Sequence, residues 1–181
     1  MKITLKLTTV ASVGCLLVLS LAPASAQTPD NPISAGQKGL YAMVKNNLIR
    51  GAEKMPEENY SFKPTPEVRS FGQLIGHVAD SQYMICSAVL GEKNPAPDIE
   101  KNKTSKADLV QALKDAVAYC DKAYDEMTDA QAAQMVKFFG RDQAKATVLS
   151  FNTIHNMEHY GNMVTYLRLK GIVPPTSEAR H

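Results

Sequence analysis

The sequence contains no tryptophan, and aromatic residues make up only 7% of it. It has no glycine-rich phosphate loop, no internal repeat and no series of alternating strands. The common nucleotide-binding motifs, solenoids and all-β folds are therefore not indicated. Charge of one sign is also missing. Lys and Arg number 20 against 18 Asp and Glu, and two of the basic residues, Lys2 and Lys6, lie in the N-terminal leader described next. Without a cationic field there is nothing to attract nucleic acid or anionic lipid, so neither is expected as a partner.

Long apolar runs are confined to the first 26 residues. Lys2 and Lys6 make a basic start, Leu7 to Leu21 is mostly apolar, and Ala24-Ser25-Ala26 has the small-x-small pattern read by signal peptidase. This predicts a cleaved signal peptide over residues 1–26 and an exported chain, periplasmic or secreted, that begins at Gln27. The apolar run is shorter than the ~20 residues a spanning helix needs, so no stable membrane anchor is expected after cleavage. Cysteine is scarce: of three, Cys15 falls in the leader, leaving Cys86 and Cys120. An even count in an exported chain invites a disulfide, the alternative being two buried small apolar side chains.

Residues 27–181 are long enough for one domain. Pro32 suits a first helical turn. Gln37, Leu40, Val44, Leu48, Ala52 and Met55 then recur at three or four residues, the amphipathic helix period, until Pro56 ends the run. Pro56 to Arg69 reads as a long surface connection pinned by Tyr60 and Phe62. Ser70 with Gln73 forms a capping-box pattern opening a second helix, which stops at Leu90-Gly91. A loop around Asn94 to Lys103 precedes a third helix, which Ser105 and Asp108 introduce and Thr128-Asp129 end. Ala130 to Phe139 predicts a helical turn and a short extended piece, broken at Gly140-Arg141-Asp142. A fourth helix runs from about Ala144 to Lys170, closed by Gly171 and Pro174-Pro175. Four long amphipathic segments with an extended crossover predict an all-α four-helix bundle.

Three of the four histidines have ligand-like placement. His155 and His159, four residues apart on the fourth helix, project from one face. His77 on the second helix can supply a third imidazole, leaving a coordination position open. Phe151, Ile154, Met157 and Met163 flank the pair, so idle polar groups there would be costly. Three neutral imidazoles leave a divalent ion its full charge, able to acidify a water or hold a thiolate, and zinc or nickel suits such ligands. Gln73, Asp80 and Asn162 are candidate groups for fixing a ligand tautomer, the alternative being ordinary polar helix surface. His155 to His159 also fits His-x-x-Glu-His, in which Glu158 would be the general base of a zinc hydrolase with a distant carboxylate as third ligand.

Four stretches carry a resemblance. Ser70-Phe-Gly-Gln-Leu-Ile-Gly-His-Val-Ala-Asp80 is similar to the second-helix signature of the DinB-like superfamily. His155-Asn-Met-Glu-His-Tyr-Gly-Asn162 resembles its fourth-helix motif, Tyr166 to Pro175 its ending, and Met55 to Pro66 its lead-in. The resemblance implies an antiparallel four-helix bundle with a long crossover connection and a divalent metal held by His77, His155 and His159. It also implies a homodimer. Some members are thiol-dependent transferases or isomerases acting on small molecules, so the resemblance implies a metal-dependent transferase or hydrolase with a small-molecule substrate. The alternative is a module that binds metal without catalysis; a fourth protein ligand such as Glu158 or Asp80 would close the site and favour it. Tyr160-Gly161-Asn162 departs from the Arg-Gly-Gln often found in the family, which puts substrate contacts by that stretch in doubt.

Overall fold

A computed structural model describes residues 30–179. Six α-helices occur among the described residues: α1 (Pro32–Lys54), α2 (Phe71–Leu90), the short α3 (Ile99–Asn102), α4 (Lys106–Asp125), the short α5 (Asp129–Ala132) and α6 (Lys145–Leu169). Two strands, β1 (Met135–Phe138) and β2 (Arg141–Ala144), pair antiparallel, with Phe138 opposite Arg141 and Met135 opposite Ala144. The fold is mostly helical, with four main helices and a small hairpin. The predicted leader lies outside the described residues. Among the described residues no helix is long and apolar enough to cross a membrane.

Local signals set the helix ends. In α2 the Ser70 hydroxyl accepts from the Gln73 backbone N–H while the Gln73 side chain accepts from the Ser70 N–H, and Gly91 takes up φ 73° after the last turn. Ser105 caps α4 through the Asp108 N–H. α1 has no cap from its own N-cap residue; the Asp129 carboxylate accepts from the Ile33 and Ser34 N–H groups, and Asn31 returns the favour to the Asp129 N–H. The stripe of α1 that enters the core is Tyr41, Val44, Leu48 and Ala52. Leu40, expected on that stripe, is 57% exposed, while its neighbour Tyr41 is buried.

These contacts also fix direction. The start of α1 meets the segment just after α4, Gln37 of α1 donates to Ala146 and Ser150 at the start of α6, and Arg50 and Lys54 pair with Glu178 beyond its end. Thus α1 runs antiparallel to α4 and parallel to α6. Cys86 and Cys120, near the C-terminal ends of α2 and α4, lie with their Cα atoms 5.3 Å apart and are joined as a disulfide, so those two neighbours run parallel. α2 opposes α6, with Gln82 against Asn152 and Arg69 near Tyr166. A parallel α2/α4 pair requires the chain to return the length of the bundle, and residues 91–105, with α3 inside them, are that crossover.

One apolar cluster gathers Leu48, Phe71, Ile75, Leu113, Met163 and Leu167; another gathers Tyr41, Ile85, Val148 and Leu149 around the disulfide. Each fully buried aliphatic or aromatic side chain of this kind contributes roughly 1.5–3 kcal/mol. Between the clusters lie Gln82, Asn152 and Asn156, all fully buried. Asn152 Nδ2 donates to Gln82 Oε1 at 2.9 Å and to the Tyr124 hydroxyl at 3.2 Å.

Candidate metal centre

His77 stands on α2 two turns after the Ser70 cap, and His155 and His159 stand mid-way along the antiparallel α6. The helical period places the α6 pair on one face, and the α2–α6 contact brings His77 to it. Nε2 of His155 is 3.3 Å from Nε2 of His77 and 3.0 Å from Nε2 of His159. All three residues offer one ligand atom within 4.8 Å of the others. A tetrahedral ion with nitrogens at about 2.0–2.1 Å sets them roughly 3.3 Å apart, so this donor set fits a divalent ion. Nδ1 of His155 and of His159 is buried and has no protein partner, which leaves the Nε2 edges as the ones turned to the shared point.

Burial disfavours the imidazolium form of all three rings. It lowers the pKa of His77, with the Arg69 charge and His155 adding to the effect. His155 and His159 are lowered to about 4, first by burial and then by a neighbouring imidazole: His159 acts on His155, and His77 on His159. Neutral rings are the state a metal requires. The same shifts give a pH prediction for the metal-free protein. The unfolded chain takes up the protons of His155 and His159 near the ordinary value of about 6.5, while the folded chain resists until about 4. Their contribution to stability is thus complete above about pH 6.5 and is lost as the pH falls toward 4. Thermal melts of chelator-treated protein should show this loss, and a His155→Ala/His159→Ala variant should be flatter over the same range. Parallel curves for the two proteins would contradict it.

The flanking apolar residues enclose the rings only in part. Phe151, Ile154 and Met157 are 36%, 66% and 46% exposed, and only Met163 is buried. The packing of α2 on α6 buries His159 and leaves His77 and His155 half-buried, with the Phe151 ring 5.9 Å from that of His155 and Glu100 of α3 beside His77. Among the described residues, none of the four candidate outer partners hydrogen-bonds a ring. Gln73 is occupied in the α2 cap. Asp80 accepts from the Ile99 and Glu100 N–H groups and so caps α3. Glu158 and Asn162 line a cleft of about 760 Å³ that reaches His159 and is also bounded by Arg69, Leu74 and Glu100.

The structure brings to the site two residues that the sequence did not single out. Glu100 Oε2 lies 3.5 Å from His77 Nδ1, and Glu100 Oε1 accepts from Arg69 Nε at 2.9 Å. Neither has a local signal. Glu100 sits in a segment that reads as a loop, and Arg69 at the end of a proline-rich connection. The one available clue was Gly76 beside His77, since a mid-helix glycine can mark a close backbone approach.

Residues 41–163 match the DinB superfamily. The uncharacterized protein YjoA of Bacillus subtilis is 28% identical over 132 residues, spanning 71% of this chain and 82% of the relative. A crystal structure of a DinB-like protein from Bacillus cereus superposes with a TM-score of 0.69 at 18% identity, covering 78% of this chain and 95% of that one. The mycothiol-dependent maleylpyruvate isomerase has the same fold at a TM-score of 0.59 and 19% identity, covering 72% of this chain and 60% of that one. With the match spanning most of the chain and the four-helix architecture in agreement, the chain belongs to the DinB superfamily.

Proposed function

We propose that this protein is an exported metal-binding member of its superfamily, holding a divalent ion through His77, His155 and His159 and acting on a small molecule as a metal-dependent transferase or hydrolase. The observation that carries the reading is the approach of three Nε2 atoms at 3.0–3.3 Å around His155. An ion bound there supplies a Lewis acid. The protein supplies neutral ligands, a partly enclosed site and a cleft of small-molecule size. Arg69, Glu158 and Asn162 offer that cleft polar contacts of both signs. The likeness in fold to the mycothiol-dependent maleylpyruvate isomerase supports the choice of an enzyme on a small molecule over a purely structural bundle. Zinc and nickel both suit imidazole ligands. The leader motif supports a periplasmic or secreted location, and a homodimer is the expected assembly.

The test is elemental analysis of protein purified without an affinity tag. About one zinc or nickel per chain is expected, and protein that takes up neither on titration overturns the reading. Glu158→Gln separates this site from the His-x-x-Glu-His hydrolase. In the three-histidine reading His77 takes the third-ligand place that such a hydrolase gives to a carboxylate, so the variant should keep both its metal and its turnover. Turnover lost with the ion retained would identify Glu158 as a general base.

A further inference from the structure

We infer that Glu100 is a positioning residue of the three-histidine site, holding His77 in the tautomer that turns an Nε2 lone pair toward the shared point; this role rests on the metal-binding reading above. The two nitrogens of His77 face different neighbours. Nε2 looks across at His155 Nε2, 3.3 Å away, while Nδ1 looks back at Glu100 Oε2, 3.5 Å away. An ionised carboxylate only accepts, so the hydrogen of the neutral ring belongs on Nδ1 and the lone pair on Nε2. The separation is long for a hydrogen bond, and a shift of a few tenths of an ångström closes it. The carboxylate stands behind the ring, at the nitrogen turned away from His155, and so acts through His77 and does not reach the shared point itself. His155 and His159 have no equivalent, since their Nδ1 atoms lack protein partners. His77 is therefore the one ring of the three whose hydrogen a charged group places.

The position of Glu100 is built by α2. A Cβ at Gly76, the residue before His77, would lie 2.7 Å from the Cα of Glu100 and 3.1 Å from its N. Only glycine allows α3 to rest there. One turn on, Asp80 takes the two leading N–H groups of α3, from Ile99 at 2.7 Å and Glu100 at 2.9 Å. This replaces the cap that Asp98, in the left-handed region at φ 66°, does not provide. Ile99 is 5% exposed and anchors the same turn. The second carboxylate oxygen is held by Arg69 Nε. The helix that carries His77 thus also holds, through Gly76 and Asp80, the carboxylate that orients it.

Two measurements on untagged protein test this. One is the Zn²⁺ affinity of wild type, Glu100→Gln and Glu100→Ala by competition with a chromophoric chelator. The other is the His77 tautomer in the metal-free proteins by long-range ¹H–¹⁵N NMR. Wild type should carry hydrogen on Nδ1. Glu100→Ala should shift the ring toward hydrogen on Nε2 and weaken Zn²⁺ binding about 10–100-fold. Glu100→Gln, whose amide oxygen can still accept, should keep the tautomer and lose less affinity. A wild-type His77 with hydrogen on Nε2 overturns the inference without any variant. So does a folded Glu100→Ala protein with wild-type affinity and an unchanged tautomer. Failure of wild type to bind Zn²⁺ or Ni²⁺ is a different result, which removes the metal site itself.

Discussion

Alanine at His155 or at His159 is expected to bring metal content from about one ion per chain to background, and alanine at His77 to weaken binding strongly. The two α6 ligands lie one turn apart on a single rigid rod, and their Nε2 atoms are 3.0 Å apart without any movement between helices. Removing either leaves an ion with one nitrogen from α6 and one from α2. The loss should exceed the ~10–100-fold typical of an outer hydrogen-bond partner. Competition titrations on untagged variants measure it directly; wild-type affinity in all three variants would show that the site is placed elsewhere. The fold should survive these changes, since the two apolar clusters contain none of the ligands. An ion at a hundredfold excess over its Kd stabilises the folded state by about 2.7 kcal/mol. At roughly 2–4 °C per kcal/mol for a chain of this size, chelation should lower Tm by about 5–10 °C and leave the protein folded at room temperature. Unfolding by chelator alone would instead make the ion structural.

Reduction of the Cys86–Cys120 bridge is expected to lower stability by about 3–4 kcal/mol. The two cysteines are 34 residues apart, and a closed loop of that length removes roughly that much entropy from the unfolded chain. The bridge also ties α2 to α4, parallel neighbours joined only by the long crossover. The corresponding fall in Tm is roughly 10 °C. Melts with and without reductant, and of a Cys86→Ala/Cys120→Ala variant, measure it. The metal affinity of the reduced protein should stay close to that of the oxidised one, because neither cysteine is a ligand and the bridge touches α6 at Asn152, not at the imidazoles. Unchanged melting would mean that the crossover contacts already hold α2 and α4 together.

The four main helices were legible because their ends carry local chemistry: proline at the start of α1, reciprocal Ser70 and Gln73 contacts, and glycine after α2 and α6. The hairpin was only half legible. An extended piece was expected near Phe139, but each strand has four residues and little burial to impose alternation. Phe139 and Gly140, at φ 48° and 74°, make the turn. The histidine set was legible as spacing plus one distant residue. Its surroundings were not, because they come from parts of the chain that meet only in three dimensions. Asp80 reads as a partner for His77 because it lies one turn away. It is committed instead to backbone groups nineteen and twenty residues on, and the residue it secures there, Glu100, is the one that faces the ring. Leu40 and Tyr41 show the limit of periodicity: spacing alone does not choose between adjacent apolar residues, and it is Tyr41 that is buried, stacked on Tyr124 with ring centroids 3.9 Å apart.

The amide pair Gln82–Asn152 has a consequence for where the imidazoles can meet. Asn152 donates both to Gln82 of α2 and to the Tyr124 hydroxyl of α4, and the two bonds are made together in this registry. A slip of α6 along α2 by a single turn, about 5.4 Å, would break the Asn152 bonds to Gln82 and Tyr124 and would carry His155 and His159 past His77 by the same distance. The polar layer is thus tied to the axial registry in which the ligands of two rods arrive level.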